Sequence, residues 1–330
     1  PGRRPHSTMG DIYADGGTST YPTALDTRTA QVDASPSLPF STSSSHVSKI
    51  NEVADAVIAV QTAIGISTTY GPGYGVVGAN CANNTSTPNT QYDLDADFIL
   101  LRPATYGTNN PVSVLSMNPG AALTVNILTA GPAANGRDQA GAFTASTFVH
   151  FYWIWNGTAI ATLSSATAPP TGPTLPTGYT HWAYAGAVRF NSSSELLRSR
   201  IRGGWTLYDD FTGDLLVLNA GTATSETSVN LSSAIPANAL ALQLFMDFRI
   251  STGSTAAGTA YVLTRVLTGV DCNSMLIFKN NATDEGAVQA SAIFPNVGQA
   301  VLYVIAEANA ADTTDYTLRV SGHLNPNGGE

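Results

Sequence analysis

Residues 240–250 read Leu-Ala-Leu-Gln-Leu-Phe-Met-Asp-Phe-Arg-Ile, with large apolar side chains at Leu240, Leu242, Leu244, Met246, Phe248 and Ile250. The places between are mostly smaller or polar. Successive side chains of a strand point to opposite faces, so a period of two predicts a β-strand with one face in a core. Leu318-Arg319-Val320-Ser321 repeats the pattern further on. Between and around them, 215–219, 228–231, 260–267, 274–280, 289–294, 300–308 and 315–320 are short β-rich runs. Upstream, a first series of such runs covers 98–102, 112–117, 123–128, 147–155, 158–163, 181–190 and 196–201. Gly, Pro, Asn and Ser punctuate both series at the spacing of sandwiches and jelly rolls.

The fold class this predicts is mainly β, with two β-sandwich, jelly-roll-like domains at 91–207 and 208–330. Residues 168–178, with Pro169, Pro170, Pro173 and Pro176, read as a proline-stiffened loop. Residues 66–90 hold Gly71-Pro72-Gly73, Gly75, Gly78 and Asn83-Asn84 and read as a turn-rich linker, with a short strand at 75–77.

Upstream of the linker the period changes. In HVSKINEVADAVIAVQTAIG, residues 46–65, Ile50, Val53, Val57, Val60 and Ile64 fall three and four apart. This is the stripe of an amphipathic helix of about 20 residues, roughly 30 Å long. Ser44 and Ser45 can cap its start, and Gly65 sits where a left-handed residue ends a helix. A seam of Ile and Val alone favours trimers or tetramers over dimers in parallel coiled coils. The five residues are the expected trimer interface. Residues 1–45 lack periodicity and read as an extended arm, ordered when bound to something else.

Tyr21-Pro22-Thr23-Ala24-Leu25-Asp26, Val32-Asp33, His46-Val47, Asn51, Asp55-Ala56-Val57, Ala59-Val60-Gln61 and Ile64-Gly65 together resemble the N-terminal segment of bacteriophage fibre and virion-decoration proteins. The resemblance covers about 45 of the 330 residues. It implies an extended N-terminal arm that docks on the virion, a short trimeric coiled-coil helix, and a distal body facing outward. It assigns docking to Tyr21, Pro22, Leu25 and Asp26. Other virion proteins, of tail or head, are the implied partners.

Charge narrows the function. Lys and Arg number 14 against 23 Asp and Glu, a net charge of −9, and charged residues are only 11% of the chain. An acidic, lysine-poor chain lacks the electrostatic footprint of a nucleic-acid binder. It is not drawn to an anionic membrane either, and no apolar run is long enough to span one. Behind Pro1 to Pro5 there is no apolar signal core, so export by the usual N-terminal route is not expected. Cys81 and Cys272 show no CxxC spacing and are expected to be plain thiols.

Catalytic signatures are missing: there is no Gly-x-Ser-x-Gly, and the five histidines show no HExxH spacing. No cofactor is expected, and no enzyme. Asp93, Asp95 and Asp97 alternate in a strand, a pattern that suits either calcium or a solvated edge, and the edge is the plainer reading. The run His150 to Trp155 is aromatic on both faces of a strand. It reads as core or subunit interface. The functional alternative is an aromatic platform for sugar rings built from Trp153, Trp155, Trp182 and Tyr184. Arg198, Arg200 and Arg202 share one face of a strand and could pair with Asp209 and Asp210, or bind an acidic glycan.

The sequence thus predicts a homotrimeric structural protein of a phage virion, of tail-fibre type, with a bacterial surface glycan as the candidate ligand. A head decoration fibre is the alternative. A polysaccharide-degrading tailspike or a bacterial adhesin fits the residues less well. Recognition is expected in the loops 251–259, 280–286 and 308–314.

Overall fold

The structure is a computed structural model that describes residues 75–104, 115–209, 213–251, 258–265, 273–279, 286–307 and 313–326. The arm 1–45 and the helix 46–65, with their docking and interface residues, lie outside the described residues. So do Cys272 and most of the three loops named for recognition. All the described residues belong to one compact unit, Thr62–Glu330.

The described chain is mainly β, as its alternation predicts, and contains no α-helix. Strands are numbered in chain order and form three sheets. The first runs β1 (Val76–Val77), β4 (Phe98–Pro103), β10 (His181–Phe190), β8 (Thr147–Trp155), β9 (Ile160–Ser165) and β7 (Gly136–Arg137), with β5 (Leu115–Met117) on the edge of β4. The second runs β18 (Gly286–Pro295), β15 (Ala241–Ser251), β20 (Thr313–Leu324), β12 (Trp205–Tyr208), β11 (Ser199–Arg202), β2 (Asn80–Asn83), β3 (Gln91–Leu94) and β6 (Leu123–Asn126), with β13 (Leu216–Gly221) also on β20. The third runs β14 (Thr227–Asn230), β19 (Ala300–Glu307), β16 (Gly258–Arg265) and β17 (Asn273–Lys279).

The second sheet is the spine. Its β2, β3, β6 and β11 end faces the first sheet, where Tyr92 stacks on Phe151 with ring centroids 4.7 Å apart. Its β15 and β20 end faces the third sheet, where Tyr316 meets Tyr303 at 5.7 Å and shares a 2.6 Å hydrogen bond with Thr264. Leu242, Leu244, Met246, Phe248 and Ile250 are all buried along β15. Leu240 precedes that strand and is 46% exposed, so the alternation overruns the core by one residue.

The boundary drawn at 207/208 falls inside β12, and β12 pairs with β20: Trp205 lies opposite Leu324 and Leu207 opposite Gly322. The two β series therefore share one sheet. The stretch read as linker supplies β1 and β2. In β2, Cys81 is fully buried and lies opposite Ile201.

β8 is buried on both faces within this single chain. Phe151 and Trp153 point into the main core. Tyr152 and Ile154 join Trp182, Tyr184, Ala161 and Leu163 in a second cluster on the other face. The proline-rich loop covers that cluster: Leu175 and Tyr179 pack on it, and the Tyr152 hydroxyl donates to the Thr167 carbonyl at 2.6 Å. Gly172 has φ +75°, and a Cβ there would stand 2.4 Å from the Trp182 ring. Only glycine lets the loop lie this close.

Candidate binding cleft

The paired strands β8 and β10 end in a cleft of about 780 Å³. Their register sets Phe148 opposite Arg189 and His150 opposite Ala187. Residues 232–238 and Gln299, from the second β series, close the other side. The volume is of the size that small-molecule sites take.

Arg189 belongs to the strand HWAYAGAVRF, otherwise apolar apart from His181, and is only 4% exposed. Its guanidinium lies 5.4 Å from the Phe148 ring centroid. Nη1 donates to the Thr147 carbonyl at 3.3 Å, and Nε is buried with no partner. No carboxylate among the described residues forms an ion pair with it. Burial lowers its pKa, and the more distant Asp214 carboxylate acts in the opposite direction. Guanidinium nonetheless stays charged in proteins.

Beside it runs a polar chain. The Asn238 side-chain amide donates to the Tyr184 hydroxyl at 3.4 Å, and that hydroxyl lies 3.0 Å from His150 Nδ1. With the amide donating, the hydroxyl proton is free to point at Nδ1. Burial holds the His150 pKa down at about 4, so the ring is neutral at neutral pH. Burial raises the Tyr184 hydroxyl, opposed by the Asn238 bond. Asn238 Oδ1 is buried and has no partner.

Among the described residues, the lining holds no Asp, Glu, Cys or Lys. It combines one guanidinium, the carboxamides of Gln139, Asn238 and Gln299, hydroxyls such as Thr144 and Ser232, and apolar surface from Phe148 and Pro236. Such a set can hold a ligand by hydrogen bonds and one ion pair. General acid–base work needs titratable groups near the operating pH, and His150 lies well below it.

The residues singled out in the sequence fall elsewhere. Trp153, Trp182 and Tyr184 are fully or almost fully buried, and Trp155 is half-buried. They do not form an exposed stacking platform. Trp153 faces the main core, while Trp182 and Tyr184 face the second cluster, because adjacent residues of a strand point to opposite sides. Arg198, Arg200 and Arg202 are exposed, as a solvated ladder requires. Arg200 lies 3.5 Å from Asp209, and Arg202 donates to Asn80 at 3.2 Å. Asp93 accepts hydrogen bonds from Asn84 and Thr124, and no metal-holding group of side chains occurs among the described residues. The Cys81 thiol is pushed up to about 12 by burial and is inert. Arg189, Asn238 and Gln299 escaped sequence reading. The one available signal was a lone arginine near the end of a largely apolar ten-residue strand.

The chain matches no protein-family model and no curated protein. Among solved structures it is similar to latent PorU from Porphyromonas gingivalis, at 9% identity and a TM-score of 0.23, over 78% of this chain and 25% of that one. A Bacillus thuringiensis Cry1Da tryptic core variant aligns at 9% identity and 0.21, over 80% and 54%. Infectious bursal disease virus Gx strain aligns at 9% identity and 0.21, over 78% and 70%. The chain thus spans a quarter to about half of the first two. A likeness this slight carries no argument about function.

Proposed function

We propose that this chain is a fibre-type structural protein of a bacteriophage virion, which docks by its N-terminal arm, trimerises, and binds a host surface component through its β body. The observation that carries the reading is the segment from Tyr21 to Gly65, with its docking-type motif followed by an all-β-branched helical seam. The mainly β body that begins at β1 fits the same plan. The cleft at Arg189 is its binding site, a reading favoured by a lining of hydrogen-bonding groups with no carboxylate among the described residues. Adhesion then works by multivalency: three copies per fibre and many fibres per particle turn weak contacts into lasting attachment.

The test uses purified full chain as competitor in phage adsorption, with a labelled antibody locating the protein on the particle. A tail-fibre role predicts tail labelling and reduced adsorption. Label on the head with unchanged adsorption would make the protein a head decoration. Particles carrying no label would contradict the virion assignment.

A further inference from the structure

Two side chains of the cleft lining each carry a buried polar atom without a partner. Arg189 Nε is a donor on a cation, and Asn238 Oδ1 is a neutral acceptor. Burying either without a partner is unfavourable, and the cation more so. Buried unsatisfied groups are few in native proteins and call for a specific account. Both side chains line the cleft, so a ligand seated there meets a guanidinium that no described carboxylate pairs and a carboxamide with hydrogen-bonding capacity to spare.

The charge of the cleft narrows the ligand. Among the described residues Arg189 is the one cation in its lining, because His150 is held neutral by burial. A single guanidinium matches a monoanion such as a carboxylate. The surrounding carboxamides and hydroxyls match a ligand rich in hydroxyls. Phe148 and Pro236 offer apolar surface for the C–H face of a sugar ring.

The geometry points to this cleft as the site of a carboxylate-bearing sugar, a uronate in class, with the Arg189 guanidinium taking the carboxylate and the Asn238 carboxamide bonding a ring hydroxyl. The inference rests on the reading of the cleft as a binding site and is independent of where the protein sits on a particle.

Calorimetric titration of the full chain with sodium D-glucuronate, D-glucose and sodium phosphate tests it. Saturable glucuronate binding is expected, about tenfold or more tighter than glucose or phosphate. Arg189→Gln should weaken glucuronate binding by about tenfold or more at an unchanged melting temperature. Asn238→Asp, which sets a carboxylate against the anion, should do the same and carries the test if Arg189→Gln does not fold. Glucose bound as tightly as glucuronate, or glucuronate binding undiminished in the variants, overturns the sugar-acid assignment while leaving a binding cleft. Phosphate bound as tightly as glucuronate overturns the sugar. Binding of none of the three overturns the inference and the binding reading of the cleft together, without touching particle attachment, which adsorption and labelling read separately.

Discussion

Asn325 Oδ1 accepts the Ala187 backbone N–H at 3.0 Å, across 138 residues of sequence. The same side chain donates from Nδ2 to the Gly204 carbonyl at 2.9 Å and to Thr206 Oγ1 at 2.8 Å. Asn325 follows the last strand, Ala187 lies next to a bulge in β10, and Gly204 and Thr206 belong to the β11–β12 hairpin. One buried carboxamide thus ties the end of the second β series to both sheets that hold the first. Gly186 at the bulge makes room for it, since a Cβ there would stand 2.8 Å from Asn325 Nδ2.

Replacing Asn325 by Ala would strip that site of three hydrogen bonds and leave the Ala187 N–H buried. Each unsatisfied buried group costs about 1–3 kcal/mol. We expect a loss of about 2–4 kcal/mol in urea unfolding, with both β series still melting in one transition. A change within error of zero would remove Asn325 from its linking role.

Acid should unfold the protein through two buried histidines. Burial lowers His150 to about 4 and His323 to about 3, with the charge of His150 adding to the effect on His323. An unfolded histidine titrates at about 6.5. The folded pKa is the lower one, so stability is full above the unfolded pKa. It falls with pH from there down through the folded pKa, because the unfolded chain takes up protons that the fold refuses. Each ring contributes a slope of about 1.4 kcal/mol per pH unit in that window. His323→Phe should roughly halve the loss measured between pH 7 and pH 4.5 by urea unfolding. An unchanged pH profile in that variant would contradict the account.

Gly172 keeps the proline loop on Trp182. Gly172→Ala places a methyl group 2.4 Å from the indole at a φ of +75°. Strain and displacement together should cost about 1–3 kcal/mol. Tryptophan emission should shift to the red as the loop lifts. Wild-type emission and stability would show that the loop yields freely.

The Tyr316 and Thr264 hydroxyls, 2.6 Å apart and buried, join the second and third sheets. Tyr316→Phe and Thr264→Val should each cost about 1–2 kcal/mol, since each leaves one buried hydroxyl unpaired. The double variant should cost less than the sum. Strict additivity would mean that the two groups do not act as a pair.

Much of this fold was legible in the chain. The alternation at Leu242 to Ile250 identifies the buried face of β15, and the doubly apolar β8, which reads as core or subunit interface, is buried on both faces within the chain itself. The reason for its burial was not legible. It is covered by the chain's own proline loop, and periodicity says nothing about what lies over a face. The pairing of β12 with β20 joins residues more than a hundred positions apart, and β2, only Asn-Cys-Ala-Asn, carries no alternation to announce it. Register between distant strands is decided by packing in three dimensions. The cleft was hidden for the same reason. Arg189, His150, Asn238 and Gln299 come from four separate stretches, and no spacing rule links them.

The central claim is that the chain is a trimeric fibre, and its mass in solution tests that most directly. Light scattering on the purified full chain at micromolar concentration should give three times the 34.2 kDa of one chain. Val57→Asp should lower that mass, since it sets three like charges together on the seam. A mass of 34.2 kDa for the unaltered chain would contradict the fibre assignment.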